Sequence, residues 1–429
     1  MTELFRLGAR EAARRIAAGT LTAQALVEAC LERIAAREAA IGAWAWLDPA
    51  QALAEARARD QSPVRGPLHG VPIGVKDNMD TADMPTAYGS RCYRGFRPAA
   101  DAAGVALARA AGAVVLGKTE STEFAAMSPA RTRHPDNPAH TPGGSSSGSA
   151  AGVADGMMPL AFGSQTAGSI IRPASFCGVV GFKPSFGLVA IAGTKALAPS
   201  LDTVGGFARS VDDIAWFIAA LTGRPDLAVP EAARRPRLGL FRTQPWDQAQ
   251  PATVAALDAA RQRLGRAGAD VRERAAYPAF DGLVPAAKTI MGHEAARSLA
   301  WERLNRSSEI MPLTAGLLDE GLAITAQAYD EALRFAAASR GEIPAFFADF
   351  DALLVPAAPG EAPPIATTGD PVFNRAWTLL HLPCIALPAG RGPTGLPVGI
   401  QLIGRPGEDA RLLAVARFAE AALSEASPP

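Results

Sequence analysis

Apolar residues along this chain recur with two spacings, and the switches between them outline its elements. Near the N-terminus the spacing is helical. A first helix is expected from Arg10 to Ala18, stopped at Gly19, where a left-handed cap is easy. Thr22 offers an N-cap, after which Leu26, Val27, Cys30, Leu31 and Ile34 fall on one face. A third helix covers Pro49 to Asp60. From Gly66 short apolar runs bounded by turns take over. Val71 to Val75 ends in Lys76-Asp77-Asn78, and Ala113 to Leu116 ends in Gly117-Lys118-Thr119, with a helix from Asp101 to Ala111 between them. Strand, helix and strand joined by short turns is the rhythm of an α/β sheet.

Pro142 to Gly148 is a dense Gly/Ser loop leading into a helix from Ser149 to Ala154. The run Met158 to Phe162 meets a second Gly/Ser turn, Gly163 to Ser169, and Val179 to Phe182 reads as strand again. The alternation continues through a helix (Val211 to Leu221), a strand (Arg237 to Phe241) and a helix (Pro251 to Ala267). Phe280 to Phe347 is predominantly helical. Strand-like runs return at Ala352 to Val355, Cys384 to Leu387 and Val398 to Ile403, before a last helix from Glu408 to Leu423. No internal repeat or long linker splits the chain. The pattern predicts one α/β domain over residues 1–429, a central mixed β-sheet flanked by helices on both faces. Within it, 1–60 supplies N-terminal helices and 66–275 the catalytic α/β core. A helical insertion at 280–347 shapes the pocket, and 350–429 completes the core.

Composition narrows the class. The 42 basic residues balance the 42 acidic ones, so nothing draws the chain to nucleic acid or anionic membrane. No window approaches the roughly 20 apolar residues of a membrane span. The first residues lack the apolar stretch of a signal peptide, so a cytoplasmic location is expected. Cys30, Cys92, Cys177 and Cys384 are too scattered for a metal cluster and are expected to be buried free thiols. Only Lys76, Lys118, Lys183, Lys195 and Lys288 are lysines. Where arginine is the general surface cation, a retained lysine ranks as a candidate base, because a desolvated lysine can deprotonate and an arginine cannot.

The two Gly/Ser turns are the candidate chemistry. Neither ends in the Gly-Lys-Ser/Thr of a phosphate loop, and neither matches GxGxxG. Gly144 to Gly148 formally fits GxSxG with Ser146 at its centre, and His293 and His381 follow. That elbow must follow a strand, whereas His134 to Pro142 is too proline-rich to form one. A serine can instead be activated by a lysine whose pKa burial depresses, and Lys76 ends an apolar strand.

The blocks HGVPIGVKDNMD, TPGGSSSGSAAGVADGMMPLAFGSQTAGSIIRPASFCGVVGFKPS and LPVGIQLIGRPGEDARLL resemble the amidase signature family, most densely from His69 to Ser185. The resemblance implies Lys76 as base, Ser145 as bridging serine after a cis peptide, and Ser169 as nucleophile. The backbone N–H groups of Thr166, Ala167 and Gly168 would form the oxyanion hole. Two motifs depart slightly from the family's commonest pattern. Gln165-Thr166-Ala167-Gly168-Ser169 stands for Asp-Thr-Gly-Gly-Ser, and Ser147 replaces a glycine. The implied activity is hydrolysis of a small-molecule amide through an acyl-enzyme, without cofactor or metal.

Arg172, three residues after Ser169, and the segment Thr368 to Cys384 are similar to the malonamidase type within the family. There the matching arginine holds a substrate carboxylate; the alternative here is an internal structural role. The other candidates have structural readings: Lys118 and Lys183 as ion pairs or backbone donors, His69 and His381 as satisfied core or rim residues. Cys177 is expected to pack, and Met127, Met157 and Met158 to sit in core or pocket wall. Trp301, Tyr329 and Phe335 either line a pocket or pack. The same triad would serve carbamates, aryl amides or esters. Rival readings are the glutaminase component of a tRNA-dependent transamidase and a non-catalytic binding module. The sequence leaves oligomeric state open, a homodimer being the commonest closed assembly.

Overall fold

The computed structural model describes residues 3–228, 233–243 and 245–424. Their strands are β1 (Trp44–Leu47), β2 (Pro72–Lys76), β3 (Val114–Thr119), β4 (Leu160–Gln165), β5 (Val180–Lys183) and β6 (Thr203–Ala208). The remaining strands are β7 (Arg237–Phe241), β8 (Asp270–Arg274), β9 (Ala352–Pro356), β10 (Cys384–Arg391) and β11 (Pro397–Ile403). They form one sheet in the order β1-β3-β2-β4-β6-β5-β10-β11-β9-β7-β8. It is mixed: β2 runs parallel to β3 and β4, and β7 parallel to β8 and β9. The other pairings are antiparallel.

Strand side chains alternate between two cores. In β3, Val114 and Leu116 enter one core while Val115 enters the other. Helices Ala23–Ile41, Ser147–Asp155 and Ile171–Cys177 and the helices from Leu283 to Phe347 cover the first face. Ala103–Ala110, Val211–Thr222, Pro251–Arg266 and Asp409–Ser424 cover the second. The chain is therefore a single α/β domain with helices on both faces of a mixed sheet. No helix among the described residues is long and apolar enough to cross a membrane.

Local signals explain most elements. Thr22 caps its helix by accepting from Ala25 N at 3.1 Å, and Gly19 takes the left-handed conformation. Several elements differ from the pattern reading, each for a visible reason. β6 (TVGGFA) carries two glycines that read as a turn. β8 (DVRER) is a charged edge strand, and β1 (WAWL) is short and at the other edge. Gly163 to Gln165 belong to β4 rather than to the turn after it. The helix after the first Gly/Ser loop starts at Ser147, two residues earlier than its apolar run suggests.

Helix Ile171–Cys177 also escapes the sequence pattern, because every one of its residues is buried and no polar face exists. Pro173 sits in its first turn, where the lost N–H has no helical partner anyway. The helix lies directly on the sheet: a Cβ at Gly181 of β5 would come within 2.6 Å of Ala174 Cβ. Glycine at that position admits the helix and thereby fixes the turn that precedes it, which carries Ser169.

Candidate active site

β2 and β4 are adjacent and parallel, so their C-terminal ends deliver Lys76 and the segment Ser164–Ser169 to the same edge of the sheet. This is where open α/β sheets place ligands. Lys76 is fully buried. Its Nζ bonds to Ser145 Oγ at 2.7 Å, to Ser164 Oγ at 2.8 Å and to Ser164 O at 3.3 Å. Among the described residues no carboxylate touches it. Burial drags its pKa down from 10.5 to about 7, while the charge of Asp202 acts in the opposite direction. At neutral pH the amine is thus poised between acid and base.

Ser145 follows a cis Gly144–Ser145 peptide, as the family resemblance implies. Its carbonyl accepts from Thr122 N at 3.1 Å, and helix Ser147–Asp155 starts two residues later. Ser169 opens onto a cavity of about 30 Å³ lined also by Thr166, Ala167, Arg172, Met291 and Arg375. That space holds about two waters. The Ser169 hydroxyl has no hydrogen-bond partner among the described residues, so it remains available to a ligand. Contacts of this kind commonly tighten only once substrate is bound.

The Thr166–Gly168 turn is clamped from outside. Gln165 Oε1 accepts from Ile170 N at 2.9 Å and Ile171 N at 3.1 Å, and its Nε2 donates to Thr378 Oγ1 at 3.0 Å. Thr378 Oγ1 in turn donates to Ala167 O at 2.9 Å. The Thr166 hydroxyl donates to Asp202, whose second oxygen accepts from Leu197 N and Ala198 N. Burial lifts the Asp202 carboxyl to about 6 against these bonds. Gly168 is required by close approach: a Cβ there would lie 2.3 Å from Asn374 Oδ1. Among the described residues, no acceptor engages the backbone N–H of Thr166, Ala167 or Gly168. Three donors in one turn are therefore open to an anionic oxygen.

Ser164, Gln165, Asn78 and Asp202 escape the sequence reading. Asn78 donates to Ser164 Oγ at 2.9 Å and so orients the second hydroxyl beside Lys76. The available signals were the place of Asn78 two residues past Lys76 and the lone glutamine in a Gly/Ser/Ala turn. The histidine alternative finds no geometry. Ser146 Oγ donates to Ser164 O, His293 stacks on Tyr329, and His381 stacks on Phe186 while contacting Ser200 O.

Arg172 lines the cavity, but its Nη1 donates to Gly369 O at 2.8 Å and its Nη2 to Gly144 O at 2.6 Å and Thr368 Oγ1 at 3.3 Å. Lys118 pairs with Asp77 at 3.4 Å and donates to Met79 O, while Lys183 donates to Pro184 O. His69 contacts Arg59 O at 3.1 Å. The four cysteines are buried free thiols. Met127 is pocket wall, and Met157 and Met158 are core. Trp301, Tyr329 and Phe335 line neither the cavity at Ser169 nor the cleft outside it. The helical stretch supplies Met291 and Leu317 there instead.

The amidase family profile matches residues 25–413. The chain belongs to the amidase family. Among curated amidase relatives, a glutamyl-tRNA(Gln) amidotransferase component from Chloroflexus aggregans is 35% identical, covering 97% of this chain and 96% of that protein. A solved structure of the peptide amidase from Stenotrophomonas maltophilia superposes with a TM-score of 0.85 at 32% identity, covering 99% of this chain and 98% of the other. A solved protein complex that traces the origins of an s-triazine catabolic enzyme gives a TM-score of 0.90 at 30% identity, covering 97% and 98%. This amidase is accordingly a hydrolase of C–N amide bonds.

Proposed function

We propose that this amidase cleaves a short amide bearing a carboxylate, through an acyl-enzyme on Ser169. The observation that carries the chemistry is a wholly buried Lys76 hydrogen-bonded to Ser145. Neutral Lys76 takes the Ser145 proton as Ser145 takes that of Ser169, and Ser169 Oγ bonds to the amide carbon. The oxyanion turns to the N–H groups of Thr166, Ala167 and Gly168. The relay returns a proton to the leaving nitrogen, ammonia departs, and water attacks the ester by the reverse path. The small cavity favours a short acyl group, and Arg172 and Arg375, both on its wall, favour a negative one.

The test is ammonia release from malonamate against neutral amides of similar size, with Ser169→Ala as blank. Preference for malonamate supports the reading. Preference for carbamates, aryl amides or esters would keep the triad and replace the substrate class. A second reading, the glutaminase component of a tRNA-dependent transamidase, is favoured by the curated relatives. Glutamine preferred over malonamate, together with a co-purifying second protein, would select it.

A further inference from the structure

Arg375 opens the short helix Arg375–Leu379 and stands where the cavity above Ser169 meets an outer cleft of about 390 Å³, lining both. It is 5% exposed. Its Nη1 meets Met291 Sδ at 3.9 Å, a weak acceptor at most, and its Nε has no partner among the described residues. Among those residues no carboxylate forms an ion pair with it. Asp370, the acid whose charge supports it, is exposed to solvent and stays outside ion-pair distance. A buried guanidinium in this condition has given up hydration without replacement, and a charge-assisted bond to an arriving anion would supply it.

Arg172 shares the unpartnered Nε but differs at its terminal nitrogens. Both of its terminal nitrogens are committed to Gly144 O, Gly369 O and Thr368 Oγ1, which tie the Ser145 loop to the Thr368–Gly369 segment. A substrate carboxylate would have to displace bonds already made.

We infer that Arg375, rather than Arg172, grips the substrate carboxylate, and that Arg172 is a positioning residue holding the Gly144–Ser145 segment. The inference rests on the carboxylated-amide reading above and names the group that enforces it. Ser169 and Arg375 share one narrow cavity, so the chain between the scissile carbonyl and the carboxylate is short. The substrate class is the monoamide of a short dicarboxylic acid.

The experiment compares kcat and KM for malonamate and for propionamide in the wild type, Arg375→Gln, Arg375→Lys and Arg172→Lys. Calorimetry of malonate with Ser169→Ala and with the Ser169→Ala, Arg375→Gln double variant accompanies it. Arg375→Gln raises KM for malonamate about 10- to 100-fold, as loss of a charge-assisted contact does. Its effect on propionamide is about 10-fold smaller than on malonamate, since no charge is read there. Arg375→Lys recovers part of the loss. Arg172→Lys lowers kcat on both substrates and leaves the preference intact. Equal effects of Arg375→Gln on both substrates, or loss of preference in Arg172→Lys alone, overturn the inference. Should wild type fail to cleave malonamate while malonate still binds Ser169→Ala through Arg375, the substrate reading falls and the anion site stands. Malonate binding that ignores Arg375 removes the site.

Discussion

The proton on Lys76 governs the rate law this site will show. An ordinary lysine, with a pKa near 10.5, has about 3 molecules in 10⁴ neutral at pH 7. Burial brings Lys76 to about 7, so about half the molecules carry a free amine. The site gains about 1,500-fold in available base without altering the nucleophile. Because the neutral form is the active one, kcat/KM falls tenfold per unit below the midpoint and levels off above it. The assay is initial ammonia release from malonamate between pH 5 and 10 at constant ionic strength, where the substrate carboxylate stays ionised over nearly the whole range. The expected limb has its midpoint near 7. Lys76→Arg, which cannot give up its proton, loses the plateau altogether. A profile still climbing at pH 10, or flat down to pH 5, would refute the assignment of Lys76 as the base.

Three further outcomes follow from neighbouring contacts. Asp202 stabilises the protonated amine through its charge, so Asp202→Asn moves the acid limb to lower pH, read from the same profile, and an unmoved limb would remove Asp202 from the tuning of the base. Gly168→Ala drives a Cβ against Asn374 Oδ1 and turns the open N–H groups away. Its kcat falls about 10²- to 10³-fold with KM little changed, as loss of an oxyanion donor does, and unchanged kcat would disprove the role of that turn. Gln165→Leu strands the N–H groups of Ile170 and Ile171 in the interior. Chemical denaturation should register a loss of about 1–3 kcal/mol, and none at all would mean the clamp is idle.

What the sequence made legible divides along physical lines. Strands with alternating or continuous apolar runs, such as Val71 to Val75 and Val398 to Ile403, read correctly because burial is what writes that pattern. Thr203–Ala208 did not, since Gly205 and Gly206 are there for close backbone approach and give no side-chain signal. At the site, Lys76 stood out as a retained lysine closing an apolar strand, whereas Ser145 was reached only through the family resemblance. Arg172 drew attention by its spacing from Ser169, but spacing says nothing of which carbonyls already occupy a guanidinium. Arg375 lay unremarked in Thr368 to Cys384, because a buried arginine looks like any other in one dimension. Asp202 is distant from Lys76 in sequence and acts through charge alone, which no local pattern encodes.

The order of strands across the sheet has a bearing on how the molecule is made. β10 and β11 come late in the chain, yet they stand inside the sheet, bridging β5 on one side and β9 on the other. Until residues 384–403 have left the ribosome, a nascent chain carries two half-sheets with bare edges where the interior of the finished sheet will be. Exposed edges of that kind recruit foreign strands. Just ahead of that segment lie Thr368 and Gly369, which hold Arg172, and Thr378, which holds the Ala167 carbonyl in the turn before Ser169. A chain stalled just short of the seam therefore carries these bracing residues without the strands that close the sheet beside them.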